Sequence, residues 1–389
     1  MSLLTQIGTS GIRDSAVTTP KIADANVTTP KIDDGDITTA KLADSAVTSV
    51  KTAGIETPKN LLINGNMNVW QRATTGSVSS DDYRTADRWR TAMNSMGTFT
   101  QSRSSDVPTG AGTGFPYSLK MECTSADASP AAGDYCIIEQ RFEGNAVQHL
   151  MKGTSTALSV TLSFWVKSNK TGTYIVELFD QDNSRHIAKS YTISSADTWE
   201  KKEVTFAGDT TGALDNDNAH SIGVLWWLGA GSGYSSGTLA TSWAANSDPN
   251  RAVGQVNLAD STSNEFYMTG CQLEVGTIAK NFDFESYDET LRKCQRYCIT
   301  LDQMTFEHLY HIFGSGNTAT VQTSWSRAYP ATMRAAPGTY ATGNASNGTL
   351  QKSAYHGGIK YRHYYAGGGL GFSFRSVTAY GNHIVESEI

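Results

Sequence analysis

The chain has 389 residues, room for two or three domains, with 17% charged and 10% aromatic residues, 36 glycines and a formal net charge of −6, a mixture that favours strands and turns over helices. The acidic balance and the lack of a Lys/Arg-rich block exclude a nucleic-acid footprint, and no apolar run approaches the ~18 residues of a helical membrane span. Met1 to Ser10 has neither a basic n-region nor an apolar h-region, so the expectation is a protein made in a cytoplasm and not exported by a signal peptide.

Residues 1–13 carry a small apolar cluster, Leu3, Leu4, Ile7 and Ile12, and one charged side chain, Arg13. Their expected role is docking to a larger assembly, with a frayed terminus as the alternative. Four ten-residue blocks follow from Asp14: DSAVTTPKIA, DANVTTPKID, DGDITTAKLA and DSAVTSVKTA. A fixed period marks a unit that stacks on copies of itself. Its aliphatic positions, one in five, match neither the helical period of about 3.6 nor the strand period of about 2. So few large apolar side chains cannot offset roughly 1–2 kcal/mol of backbone entropy per ordered residue. The missing partners must come from other chains, most simply parallel copies around an axis. Residues 14–59 are therefore expected to be a fibrous shaft, threefold, with Val17, Ile22, Val27, Ile32, Ile37, Leu42 and Val47 as its interchain core. Thr57-Pro58-Lys59 breaks the pattern.

Short strand-like segments separated by turn clusters occupy residues 60–286: Leu61–Ile63, Tyr117–Cys123, Tyr135–Phe142, Leu158–Lys167, Thr173–Asp180, His186–Ile193, Trp199–Phe206, His220–Leu228, Gln255–Leu258 and Phe266–Val275. This spacing predicts an all-β sandwich or jelly roll. Leu158, Val160, Leu162, Phe164 and Val166 share one strand face, and Tyr174, Val176 and Leu178 share the face opposite Glu177. Residues 287–301 read as a helix. Its seam of Tyr287, Leu291, Cys294, Cys298 and Leu301 suits a short trimeric coiled coil or an amphipathic helix packed on its own sandwich. Residues 302–389 read as a small β-sandwich, with a glycine-rich loop at Gly367–Gly371 and alternation at Phe372 and Phe374. Five cysteines, at 123, 136, 271, 294 and 298, make an odd set that does not suit a disulfide framework. Cys123 and Cys136 could bridge a hairpin, but reduced, partly buried thiols are expected.

Three stretches carry a family resemblance. The repeat VTTPKIADANVTTPKIDDGDITTAKLADSAVT resembles the shafts of bacteriophage tail fibres. Asn60-Leu-Leu-Ile-Asn-Gly-Asn-Met-Asn-Val-Trp-Gln-Arg with Ala86-Asp-Arg-Trp is similar to the start of their carbohydrate-binding-module-like jelly roll. Met268-Thr-Gly-Cys-Gln-Leu-Glu-Val-Gly and Tyr287-Asp-Glu-Thr-Leu-Arg-Lys-Cys-Gln-Arg-Tyr are similar to its last strand and the following helix. Met333-Arg-Ala-Ala-Pro and Val385-Glu-Ser-Glu-Ile resemble the family's terminal unit, whereas nothing between Tyr340 and Tyr380 matches. The resemblance implies a homotrimeric virion protein of the tail. Its N-terminus would dock on tail adaptor or nozzle proteins, and its distal half would meet host polysaccharide or an outer-membrane receptor. It brings no catalytic motif.

Sugar recognition needs flat aromatic faces with amide or carboxylate groups beside them. Trp226, Trp227, Tyr234 and Trp243, near Asn246, Asp248 and Asn250, offer such a set. Trp226 and Trp227 face opposite ways on a strand, so one should be core. Tyr234 and Trp243 lie in a long Gly/Ser-rich loop. The candidates are therefore Trp227, Tyr234 and Trp243, and in the terminal unit Tyr361, His363 and Tyr364. Packing, within the chain or between copies, is the competing account of each. Asp81-Asp82, Asp215, Asp217 and Glu177 could supply the paired carboxylates of a polysaccharide depolymerase, but Asp pairs in loops are ordinarily turn formers. His308 with His311, and Cys294 with Cys298, lack the spacing of a zinc site. No cofactor is implied, although a jelly roll leaves room for structural calcium. The expectation is a non-enzymatic adhesin, with a purely structural tail connector as the main alternative.

Overall fold

The computed structural model describes residues 60–300 apart from residue 111, the backbone of the strands from residue 301 to residue 386, and residues 332 and 388. The leading peptide and the repeat, with its shaft core of Val17 to Val47, lie outside the described residues.

The fold is all-β. Two antiparallel six-stranded sheets pack face to face. The first has the order β1 (Thr75–Val78), β3 (Thr98–Ser104), β4 (Ser118–Ser125), β12 (Glu265–Val275), β6 (Val160–Ser168), β9 (Glu200–Phe206). The second runs β11 (Ala244–Ala245), β8 (Arg185–Ile193), β7 (Gly172–Asp180), β10 (His220–Ala230), β5 (Tyr135–Glu143), β2 (Arg90–Asn94). Neighbours distant in sequence, such as β4 beside β12, give the jelly-roll connectivity of a sandwich.

Alternation decides which residues meet between the sheets. Val160, Leu162, Phe164 and Val166 point inward from β6, against Tyr174, Val176 and Leu178 from β7. Phe164 sits edge-on to Tyr191 at 5.0 Å and to Trp226 at 5.8 Å between ring centres. Leu158, expected to extend this stripe, precedes the strand and is 41% exposed. All five cysteines are free and buried.

Three local expectations change. Leu61–Ile63 is turn rather than strand, because Asn60 Oδ1 accepts from the amides of Leu62 and Leu273 and Asn64 Oδ1 from those of Asn68 and Val69. Those turns press Gly65 onto the Cys271 carbonyl, where a Cβ would collide. Gln255–Leu258 leads into the 3₁₀ turn Leu258–Asp260, capped by Asn257. The helix spans Tyr287–Cys294 only, with the Ser286 side chain accepting from Glu289 N. It stops where Arg296 and Tyr297 reach back to Glu143, which accepts from Arg296 Nε at 2.7 Å and from the Tyr297 hydroxyl. The seam is thereby divided: Tyr287, Leu291 and Cys294 are helical, and Cys298 and Leu301 belong to strand β13 (Cys298–Leu301).

Beyond it, β14 (Met304–Phe306) pairs with β19 (Val377–Ala379). A four-stranded sheet has the order β15 (Val321–Ala328), β18 (Gly358–Tyr365), β17 (Gly348–Tyr355), β16 (Ala341–Ala345). The final strand β20 (His383–Glu386) returns to pair with β13. Glu388 beyond it forms ion pairs with Arg72 at 2.9 Å and with Arg88 of the sandwich. The strands from β14 to β19 thus form an excursion between two paired strands.

Candidate functional site

Strand β10 carries the run Val224-Leu-Trp-Trp-Leu, and both of its faces are covered. Val224, Trp226 and Leu228 fill the inter-sheet core. Leu225 and Trp227 point to the outer face of the second sheet, where they join a separate cluster with Ala92, Ile137, Ile175 and Ala188. Register places Ala188, Glu177, Leu225, Glu139 and Arg90 in one row across β8, β7, β10, β5 and β2.

The long loop after β10 folds over this face. The Ala188 amide donates to the Ala240 carbonyl at 2.7 Å, Ala244 and Ala245 pair with His186 and Arg185 of β8, and the Ala252 amide donates to Tyr234 O at 2.8 Å. Glu177, fully buried, holds the loop down. Its carboxylate accepts from His186 Nδ1 (2.9 Å), Trp227 Nε1 (3.0 Å), and Arg251 Nε and Nη2 (2.9 and 3.1 Å). Burial alone would push the Glu177 carboxyl up, but the Arg251 guanidinium and the bonds from His186 and Arg251 outweigh it and hold the group below the ordinary carboxylate range. The guanidinium lies 4.7 Å from the Phe179 ring centre and 5.3 Å from that of Trp227.

Trp227, expected as a sugar platform, is therefore 0% exposed beneath Arg251 and the loop. It anchors the cover and presents no face to a ligand. Tyr234 is half-buried at the rim of the cover. It meets a residue that sequence reasoning passed over, Tyr135 at the start of β5, edge-on at 5.4 Å between ring centres. Asp81, Arg90, Asn94 and Asp248 surround the pair: Arg90 bridges Asp81 and Glu139, and Asn94 Nδ2 donates to Gly133 O at 2.9 Å. Burial, with Asp81 near Tyr135 and Asp248 near Tyr234, pushes both phenols up, so both hydroxyls stay protonated. The result is a shallow patch with two tyrosine rings and fixed donors and acceptors at its edge. The signal for Tyr135 is its place at the start of β5, two residues before Ile137 and so on the same face.

Trp243 does not join them. It lies at the β8 edge, donates Nε1 to Ala207 O at 2.7 Å, and has Lys152 Nζ 5.1 Å above its ring. Asn246, Asp248 and Asn250 serve the loop itself: Asn250 Oδ1 accepts from Thr238 N at 2.8 Å, and Asn246 Nδ2 donates to Asp248 at 3.3 Å. Tyr361, His363 and Tyr364 sit on β18, with both strand edges paired, to β15 and to β17. Among the described residues no group of three His, Cys, Asp or Glu is placed to hold a metal. Instead, the buried Lys152 ammonium contacts Asp180, Asp209 (3.1 Å) and the carbonyls of Thr211 (3.1 Å) and Gly212 (2.9 Å).

No family model matches the sequence, and no curated protein matches it. Among solved structures, the fold is similar to the enzymatically active domain of tailspike protein 4 from bacteriophage CBA120 (12% identity, TM-score 0.28, covering 56% of this chain and 21% of that one). The match thus spans about a fifth of the tailspike chain's length. It is also similar to the CBM22-2 xylan-binding domain of Paenibacillus barcinonensis Xyn10C (12%, TM-score 0.27, 56% and 99%). A third is the family 11 carbohydrate-binding module of Clostridium thermocellum in complex with a mixed-linked tetrasaccharide (13%, TM-score 0.27, 54% and 100%).

Proposed function

We propose that this chain is a non-enzymatic, homotrimeric tail-fibre protein of a phage virion whose sandwich holds host-surface glycan at the Tyr135–Tyr234 patch. The observation that carries the reading is that ring pair, half-buried and edge-on. Such rings are held rigid and lose little entropy when a sugar ring packs on them, while Asp81, Arg90, Asn94 and Asp248 stand where hydroxyls would need partners. The decapeptide repeat supports the fibre part of the reading, since its aliphatic residues need neighbours from other chains. The N-terminal peptide would dock on tail adaptor or nozzle proteins. Repeated weak contacts on one particle would give adhesion by avidity.

The test uses the full chain. Light scattering should give a trimer, and the protein should bind a subset of spots on a broad glycan array and adsorb to host cells. Tyr135→Ala and Tyr234→Ala should each weaken binding by about tenfold, the usual loss for one buried aromatic contact. Binding unchanged in both would remove the patch from the reading. No binding to any glycan or cell would favour the tail-connector alternative.

A further inference from the structure

The opposite side of the sandwich, the outer face of the first sheet, has a different surface. Because Val160, Leu162, Phe164 and Val166 point inward, Trp165 and Lys167 point out from β6. Register sets Lys167 and Lys120 on either side of Tyr267, and Trp165 between Thr269 and Lys201. Trp199, just before β9, meets Tyr267 at 6.2 Å between ring centres, and Lys167 Nζ lies 4.4 Å from the Tyr267 centroid and 5.8 Å from that of Trp199. Both tryptophans are half-buried. They are diagonal neighbours on one face, roughly 7–8 Å apart along the backbone.

The polar groups beside these rings are fixed in place. Trp199 Nε1 donates to Asp106 at 2.8 Å, and the Tyr267 hydroxyl to Glu265 at 2.6 Å. Lys120 bridges Glu122 (2.9 Å) and Glu265 (2.8 Å), and Lys201 pairs with Glu203 at 2.8 Å. They also reach solvent, with side-chain exposures of 45% for Asp106, 42% for Glu122 and 38% for Lys201.

Charge and composition select the occupant. Three cations (Lys120, Lys167, Lys201) face four carboxylates (Asp106, Glu122, Glu203, Glu265), so a polyanion gains no net attraction. The outward positions beside the two tryptophans, Lys167, Lys201, Glu203 and Thr205, include no aliphatic residue, while Thr161 and Ser163 further along β6 are buried. The cores of protein–protein interfaces are depleted in Lys and Glu, which disfavours a second copy of the chain here. Flat rings flanked by fixed donors and acceptors fit a sugar, whose ring has an apolar C–H face and a hydroxyl edge.

We infer that this face is a second carbohydrate-binding surface, taking a neutral polysaccharide across Trp165 and Trp199. The inference rests on the carbohydrate reading above and extends it to a surface on the other side of the sandwich. Two such faces would let one domain engage two strands of a surface polymer.

The experiment is affinity electrophoresis of the full chain in gels containing neutral polysaccharides (mixed-linked glucan, xylan, galactan, mannan) or polygalacturonate. At least one neutral polymer should retard the protein. Trp199→Ala and Trp165→Ala should each weaken that retardation by about tenfold, while Trp199→Phe keeps most of it and controls for misfolding. A Tyr135→Ala/Tyr234→Ala double variant should keep a residual retardation that adding Trp199→Ala removes. Retardation lost in the tyrosine double variant but unchanged in both tryptophan variants would overturn this inference and leave the first patch standing. Preference for polygalacturonate, or a change of oligomeric state in Trp199→Ala without loss of retardation, would also overturn it. No retardation in any gel would overturn both readings.

Discussion

Replacing Glu177 by glutamine tests whether the cover over the second sheet is held by one carboxylate. The glutamine keeps the size but loses the charge and replaces one acceptor with a donor. It can no longer satisfy His186, Trp227 and both Arg251 nitrogens together. Removing one partner of a buried ion pair costs about 3–5 kcal/mol. Arg251 keeps 14% side-chain exposure and can swing towards water, so the lower end, about 3 kcal/mol, is expected. That equals roughly a hundredfold change in the closed population of the loop. The assay is native-state hydrogen exchange. The amides of Ala188 and Ala252, bonded to Ala240 O and Tyr234 O across the loop, should exchange about a hundredfold faster, and amides of β6 and β12 should change little. Because folding lowers the Glu177 pKa, its stabilisation is complete above the unfolded carboxylate value of about 4.3 and is lost as pH falls through the depressed folded value. Wild-type protein should therefore keep the loop closed at pH 5 and release it only in stronger acid. Exchange unchanged in the variant, or faster by the same factor in every strand, would refute the reasoning.

The remaining predictions concern other buried charges and thiols. Burial pushes Asp87 up to about 6, against the opposing pull of Arg72 and the Gln71 hydrogen bonds; its contribution is complete below about pH 4 and is lost as pH rises through 6. Wild-type stability should fall across that window by on the order of 3 kcal/mol, and Asp87→Asn should flatten the dependence in thermal melts at pH 4, 5, 6 and 7. Lys152→Met leaves Asp180 and Asp209 without their ammonium and should cost about 3–5 kcal/mol in chemical denaturation. The same ammonium fills the oxygen cage a hard cation would want, so EDTA should leave the wild-type melting temperature unchanged. Burial pushes the thiols of Cys136, Cys271 and Cys294 well up, so a thiol reagent at pH 8 should label them only after unfolding; fast native labelling would contradict their placement.

The strands legible in the sequence were those with one face in the core. β6 and β7 alternate cleanly, and the stripe from Val160 to Val166 meets Tyr174, Val176 and Leu178 as the spacing predicts. β2 and β3 were not legible, because Arg-Thr-Ala-Met-Asn and Thr-Phe-Thr-Gln-Ser-Arg-Ser carry few strand-forming apolar residues. They are held by long-range pairing and by the buried Gln101, which bonds Thr85 and Thr91. The helix end is not legible because heptad spacing continues through Cys298, whereas the contact that stops it, Glu143, lies 153 residues away in sequence from Arg296. Trp227 departs from its sequence expectation for a related reason. A strand covered on both faces reads as a continuous apolar run, and nothing local to Val224–Leu228 reveals that a later arginine will close over it. Trp165 was implied by the inward direction of Phe164, but an outward residue is visible as a surface only once its neighbours on β9 and β12 are known.

The same row of residues bears on whether the sandwich could cleave a sugar bound at the proposed patch. Glu177 and Glu139 flank Leu225 on adjacent strands, which separates them by two strand spacings, roughly 9–10 Å, near the upper limit of about 9.5 Å for an inverting glycosidase pair. Spacing alone would make them candidates. Hydrolysis, however, needs one carboxyl that keeps its proton near neutral pH, which requires an environment that raises its pKa. Glu177 has the reverse: its four donors favour the ionised form. Glu139, 4% exposed, is gripped by Arg90 and by Arg141 Nε at 3.0 Å. Neither carboxylate can reach a glycosidic oxygen without first releasing a guanidinium. The other acidic candidates act in turns and surface pairs, Asp217 Oδ1 accepting from Ala219 N at 2.9 Å and Asp82 pairing with Arg84 at 3.3 Å. Incubating the full chain with any polysaccharide it binds should therefore release no reducing ends over hours. Steady release that Glu177→Gln or Glu139→Gln abolishes would show that the clamps open, and that the face is an active site.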